Sequence, residues 1–130
     1  MKDLTPVIEC LKNESAVKFA YLFGSKACGT AGRLSDTDIA VYLSPDSDMT
    51  ARKLDIIGQL IGVLGSDRFD LVILNTAPLP LAARIIRRQK LLVDRDSFLR
   101  HRYESRIIRE YFDFSYLEES ILKRRFALGR

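Results

Sequence analysis

Asp36 and Asp38 flank a single threonine and stand at the head of an apolar run, DIAVYL. In extended chain, side chains two apart leave the same face, about 6.5–7 Å from each other. A third carboxylate, Asp70, opens FDLVILN in a comparable position. Three acids converging from two neighbouring strands make an oxygen-rich site suited to one or two Mg²⁺ ions, which complete their shell with water and substrate phosphates. Without a cation such acids repel one another and rise in proton affinity, and a divalent ion removes that conflict. The turn just upstream supplies a complementary half. Gly24 admits a ligand close to the backbone, and Ser25 brings a hydroxyl to a turn or short helix start whose free amides attract anions. Lys26 and Arg33 add positive charge for phosphates. A triphosphate held between this turn and metal-bearing acids is the chemistry these residue types propose.

Each piece also has a plain structural explanation. Aspartates before a strand often cap backbone amides in turns, and a Gly-Ser turn alone says little. Their conjunction, each at a strand end and joined by a third strand-opening acid, favours the chemical reading. Competing motifs are absent: there is no GxxxxGK[ST], the glycines at 24, 29 and 32 lack dinucleotide-binding spacing, and the remaining EF-hand ligands are missing. Two cysteines, Cys10 and Cys28, and one histidine, His101, give neither a disulfide framework nor a zinc site.

The elements that must position these groups follow from local pattern. Thr5-Pro6 reads as an N-cap and first helical residue, opening a helix of roughly ten residues. VKFAYLF (17–23) is a strand stopped by Gly24, and the small residues 25–32 suit a short helix or turn. DIAVYL (38–43) is the second strand. Ser47 or Asp48 caps a helix over about 49–64, with Leu54, Ile57, Leu60, Ile61 and Leu64 at helical spacing and Gly65 at its end. FDLVILN (69–75) is the third strand, LAARIIRR (81–88) a basic helix, and KLLVD (90–94) a fourth strand. From Asp96 the chain is helical, with Phe98, Leu99, Tyr103, Ile107, Ile108, Tyr111 and Phe112 on one broad face and a break expected near Asp113-Phe114-Ser115. Alternating helices and short strands predict a compact α/β fold, a small mixed β-sheet with flanking helices and a helical tail over 96–130.

At 130 residues and 14.8 kDa the chain has the size and composition of a single ordinary globular domain, 1–130. Its N-terminus lacks the apolar core of a signal peptide, and no run approaches the roughly 18 apolar residues of a membrane span, so a cytoplasmic location without membrane contact is expected. The net charge of +4 hides an asymmetry, because residues 1–70 carry a net −2 and residues 71–130 a net +6. A basic half can face a nucleotide, a nucleic acid or an acidic partner.

Gly24-Ser25, ten residues, then Asp36-Thr37-Asp38 resembles the G-S-x(10)-D-x-D signature of the DNA polymerase β-like nucleotidyltransferases. More narrowly, FGSKACGTAGRLSDTDIAVYL together with FDLVILNTAPLPLAARIIRRQKLLVDRD is similar to the minimal nucleotidyltransferases (MNT), antitoxins of HEPN-type toxins. The resemblance covers nearly the whole chain. It implies a polymerase β-like fold, with Gly24 and Ser25 on the nucleotide phosphates, Asp36 and Asp38 on paired Mg²⁺ ions and Asp70 as third ligand beside the attacking hydroxyl. The implied reaction moves AMP from ATP to a tyrosine of the cognate HEPN-type toxin, silencing it in a hetero-oligomer with no requirement for nucleic acid. Lys26 departs from the arginine many relatives carry after Gly-Ser, and presents a point charge in place of a bidentate fork.

Two other classes stay open at this stage: a non-catalytic antitoxin that binds its toxin, and nucleotidyl transfer to a small molecule or an RNA end. Arg95, His101 and Tyr103 match by letter the R-x(4–6)-H-x-Y pattern of HEPN ribonucleases, but too little chain remains for that helical bundle. Tail arginines 100, 102, 106 and 109 read first as the wet side of an amphipathic helix. Tyr111, Phe112, Phe114 and Tyr116 either complete the core or form a partner surface.

Overall fold

The computed structural model describes residues 4–23, 37–65 and 68–128. Along the chain run α1 (Thr5–Asn13), β1 (Val17–Phe23), β2 (Thr37–Leu43), α2 (Met49–Leu64), β3 (Phe69–Ile73), α3 (Leu79–Arg87), β4 (Lys90–Asp94) and α4 (Ser97–Leu128). The four strands form one mixed sheet in the order β3-β2-β1-β4. Strand β1 runs antiparallel to both neighbours, while β2 and β3 are parallel and joined through α2. This is the small mixed sheet with flanking helices expected from the sequence. The helix or turn expected over 25–32 lies outside the described residues.

Both faces of the sheet are covered, which is why its central strands read as nearly continuous apolar runs. On one face Val17, Ala20, Leu22, Ile39, Val41 and Leu43 pack against Val7 and Leu11 of α1 and Ile56 and Leu60 of α2. On the other, Phe19, Tyr21, Phe23 and Ala40 meet Ala82, Ala83, Ile85 and Ile86 of α3 and Tyr103 and Ile107 of α4. An irregularity in the β1–β2 register between Val17 and Phe19 lets Val17 share a face with Ala20. Phe19 stacks on Tyr42 at 4.8 Å between ring centroids, and Tyr103 tilts against both rings while its hydroxyl donates to the Leu74 carbonyl at 3.2 Å.

Local stop and start signals held in part. Asp48 caps α2 by accepting from the Ala51 amide, and Gly65 ends it at φ 67°, a left-handed conformation that favours glycine. Thr5, expected as the cap of α1, is instead its first residue, with Leu4 at the cap position making no side-chain cap bond. In α2 the buried pair is Ile56 and Leu60, whereas Leu54 is 64% exposed. Residues 74–76 form a turn in place of the last strand residues, and Asn75 clamps β2 by accepting from the Leu43 amide and donating to its carbonyl, both at 2.9 Å.

The tail differs most from expectation. Helix α4 is continuous through Asp113-Phe114-Ser115, and its 32 residues span about 48 Å at the helical rise. Its first half is pinned to the sheet. Asp96 accepts from the Leu99 amide at 3.0 Å, and Arg100 bridges Asp94 (3.0 Å) and Glu104 (3.1 Å). Buried Tyr21 donates its hydroxyl to Glu104. Burial, reinforced by that bond, pushes the Tyr21 phenol up, and burial pushes Tyr103 up to about 12. Burial alone would raise the Asp94 carboxyl, but hydrogen bonds from Ser97 and Arg100 outweigh it and hold it below the usual range. Beyond Tyr111 the helix has outrun the sheet, leaving Phe112 at 70% and Tyr116 at 74% exposure. No described helix is long and apolar enough to cross a membrane.

Candidate active site

Strands β2 and β3 pair in parallel with Asp38 opposite Asp70. Directly opposed residues on neighbouring strands share a face, with the strands about 4.8 Å apart, so the two carboxylates stand side by side. Their face is the one packed by α3 and α4, because Ala40 and Val72, two residues on, belong to that core cluster. Both acids lie at the strand-opening rim of the sheet, where Asp38 is half-buried and Asp70 exposed. On the other side of β2, Asp38 pairs with Phe23, the last residue of β1 and the one preceding Gly24. The Thr37 amide donates to the Arg68 carbonyl at 3.4 Å, closing the mouth between the two strands.

The physical origin of this arrangement is the parallel crossover. Helix α2 carries the chain from the end of β2 back to the start of β3, so both strands open at the same rim. Carboxylates placed at two strand openings are thereby brought together although they are thirty-two positions apart in the chain.

Of the site residues read from the sequence, Asp38 and Asp70 are described, and they stand opposite each other in the β2–β3 register. Gly24, Ser25, Lys26, Arg33 and Asp36 lie outside the described residues. In sequence, Asp36 is two residues before Asp38 and Ser25 two after Phe23. Among the described residues no group of three or more metal-binding side chains occurs. The donor chemistry of the two described acids nevertheless suits a hard divalent cation, being oxygen-only and paired across one strand spacing. His101 stands exposed on α4 beside Arg100, at the opposite end of the sheet from Asp38 and Asp70, since α4 begins where β4 ends.

This sheet and paired-carboxylate rim define a nucleotidyltransferase of the polymerase β type. The family model for polymerase beta nucleotidyltransferases matches residues 6–98, and the chain belongs to that family. Within it, the structure is similar to those of toxin–antitoxin pairs. One, a toxin-antitoxin solved with AMP-PNP, is 28% identical at a TM-score of 0.76, over 96% of this chain and 99% of that one. A second, the toxin-antitoxin MntA-HepT, is 26% identical at 0.66, over 92% and 93%. A third is the tri-AMPylated HEPN toxin of Shewanella oneidensis in complex with MNT antitoxin, 26% identical at 0.67, over 92% of both chains. The MNT resemblance read from the sequence thus has its structural counterpart. No curated protein matches the chain.

Proposed function

We propose that this protein is the antitoxin of a toxin–antitoxin pair and that it silences its partner, a HEPN-type toxin, by transferring AMP from ATP to a tyrosine hydroxyl. The observation that carries the reading is the in-register pairing of Asp38 with Asp70 at the rim that follows β1 into Gly24-Ser25. The similar structures with AMP-PNP and with an AMPylated toxin support the choice of nucleotide and acceptor.

In this proposal Asp36, Asp38 and Asp70 hold Mg²⁺. Bound there, the cation neutralises phosphate charge and lowers the pKa of the acceptor hydroxyl. Gly24 and Ser25 orient the triphosphate through backbone amides and a hydroxyl, with Lys26 and Arg33 adding charge. Asp70, on the outer strand, stands beside the incoming acceptor and takes up the proton its hydroxyl loses. The new bond joins the tyrosine oxygen to the α-phosphorus, the bond to the bridging oxygen breaks, and pyrophosphate leaves. Positioning supplies most of the rate in such a transfer, which fits a rigid sheet rim as its platform.

The test uses purified protein, labelled ATP, Mg²⁺ and the toxin encoded by the neighbouring reading frame. Labelled toxin is expected, and Asp36→Ala/Asp38→Ala is expected to lose both labelling and neutralisation. Neutralisation that survives in the double variant without label would sink the enzymatic reading. It would favour inhibition by binding alone, a second reading drawn from the exposed apolar half of α4.

A further inference from the structure

Between Asp70 and Asp94 the chain carries four cations, Arg84, Arg87, Arg88 and Lys90, and no acidic residue. All four are exposed, and none of them forms an ion pair with another described residue. Arg84 and Arg87 lie one turn apart on one face of α3, and Arg88 follows as its C-cap residue. That face lies opposite the buried Ala82, Ala83, Ile85 and Ile86, so the guanidinium ridge points away from the sheet. Arg84 and Arg87 stand in the last turn of α3, where a cation is favoured by the helix C-terminus, while their like charges repel one another.

Its location relates it to the carboxylates. Arg88 leads through Gln89 to Lys90, which pairs with Leu22, and the next residue of β1, Phe23, pairs with Asp38. The ridge thus ends at the same rim as Asp38 and Asp70, about 10 Å from β2 at two strand spacings. Because it faces outward, the ridge suits a large partner arriving from solvent better than a nucleotide seated on the rim. Planar guanidinium forks match carboxylates in geometry. We infer that the α3 ridge of Arg84, Arg87 and Arg88 is a docking surface for an acidic patch on the acceptor protein, seating its hydroxyl at the Asp38-Asp70 rim. This inference rests on the proposal that the acceptor is a protein.

The test is association of the full chain with the purified neighbouring-frame toxin, measured without nucleotide so that binding is read apart from transfer. Arg87→Glu/Arg88→Glu is compared with Lys12→Glu/Lys53→Glu, an equal charge change at exposed positions on the helices of the opposite face. The ridge variant is expected to associate at least about tenfold more slowly at low salt, with the gap closing as the Debye length shrinks to about 3 Å at 1 M. Arg84→Gln/Arg87→Gln/Arg88→Gln, which keeps helix-forming residues, should show a smaller loss of the same kind. Equal rates for ridge and control variants overturn the inference, as does absence of any complex. A ridge variant that loses only affinity for a labelled oligoribonucleotide overturns it too, and marks a nucleic-acid surface. If wild type binds the toxin through the ridge but transfers no AMP, the proposed function fails and the docking surface stands.

Discussion

In the proposed reaction Asp38 and Asp70 act through their placement, since each is an ordinary aspartate at the opening of a strand and the parallel register sets them opposite each other. Replacing either by asparagine keeps volume and removes charge. Partners one shell out from a metal already cost 10–100-fold on mutation, so a direct ligand should cost at least about a hundredfold in transfer rate. Because both acids sit at the rim, thermal unfolding of Asp38→Asn and Asp70→Asn should stay close to wild type, which a melting curve beside the rate measurement checks. Tyr103 gives the pH-dependent counterpart. Its phenol is raised by burial from 10 to about 12, so the native state keeps its proton where the unfolded chain loses it. The stability this confers is complete below pH 10 and lost as pH rises toward 12, on the order of 2 kcal/mol. Denaturant midpoints between pH 9 and 12 should fall accordingly, and Tyr103→Phe should flatten that fall.

At the scale of elements, α4 is two objects in one helix. Its first half is fixed by Arg100 between Asp94 and Glu104, by Tyr21 on Glu104, and by buried Tyr103 and Ile107. Its second half continues past the sheet with its aromatics exposed. Truncation should therefore hurt unequally. Tyr103→Ala removes a buried ring and should cost about 3–5 kcal/mol, whereas Phe112→Ala and Tyr116→Ala should each stay within about 0.5 kcal/mol in urea unfolding. The same logic separates the ends of α2, where Asp48→Ala should cost about 1 kcal/mol through the lost cap.

For the whole molecule, core and site are separable. The two apolar clusters lie on opposite faces of the sheet, and the carboxylates occupy its rim. Chelation of divalent cations should abolish transfer while leaving the far-UV circular dichroism unchanged. Mg²⁺ with a non-hydrolysable ATP analogue should raise the melting temperature, by an amount that grows with ligand concentration and disappears in Asp36→Ala/Asp38→Ala. A melt that drops on chelation would mean that the cation holds the fold and not the chemistry alone.

What was legible in the chain were the local signals: β1 and β4 to the residue, a cap of α2 at Ser47 or Asp48, and its stop at Gly65. These depend on neighbours within a few positions, where propensity and periodicity act. The tertiary structure alone decided that Asp70 stands opposite Asp38, because register between strands joined by a parallel crossover is set by packing on both faces of the sheet. It also decided which apolar residues are core. The spacing of Leu54 or Phe112 matches that of buried neighbours, but a helix face is buried only where another element lies beneath it, and α4 is longer than the sheet that covers its first half.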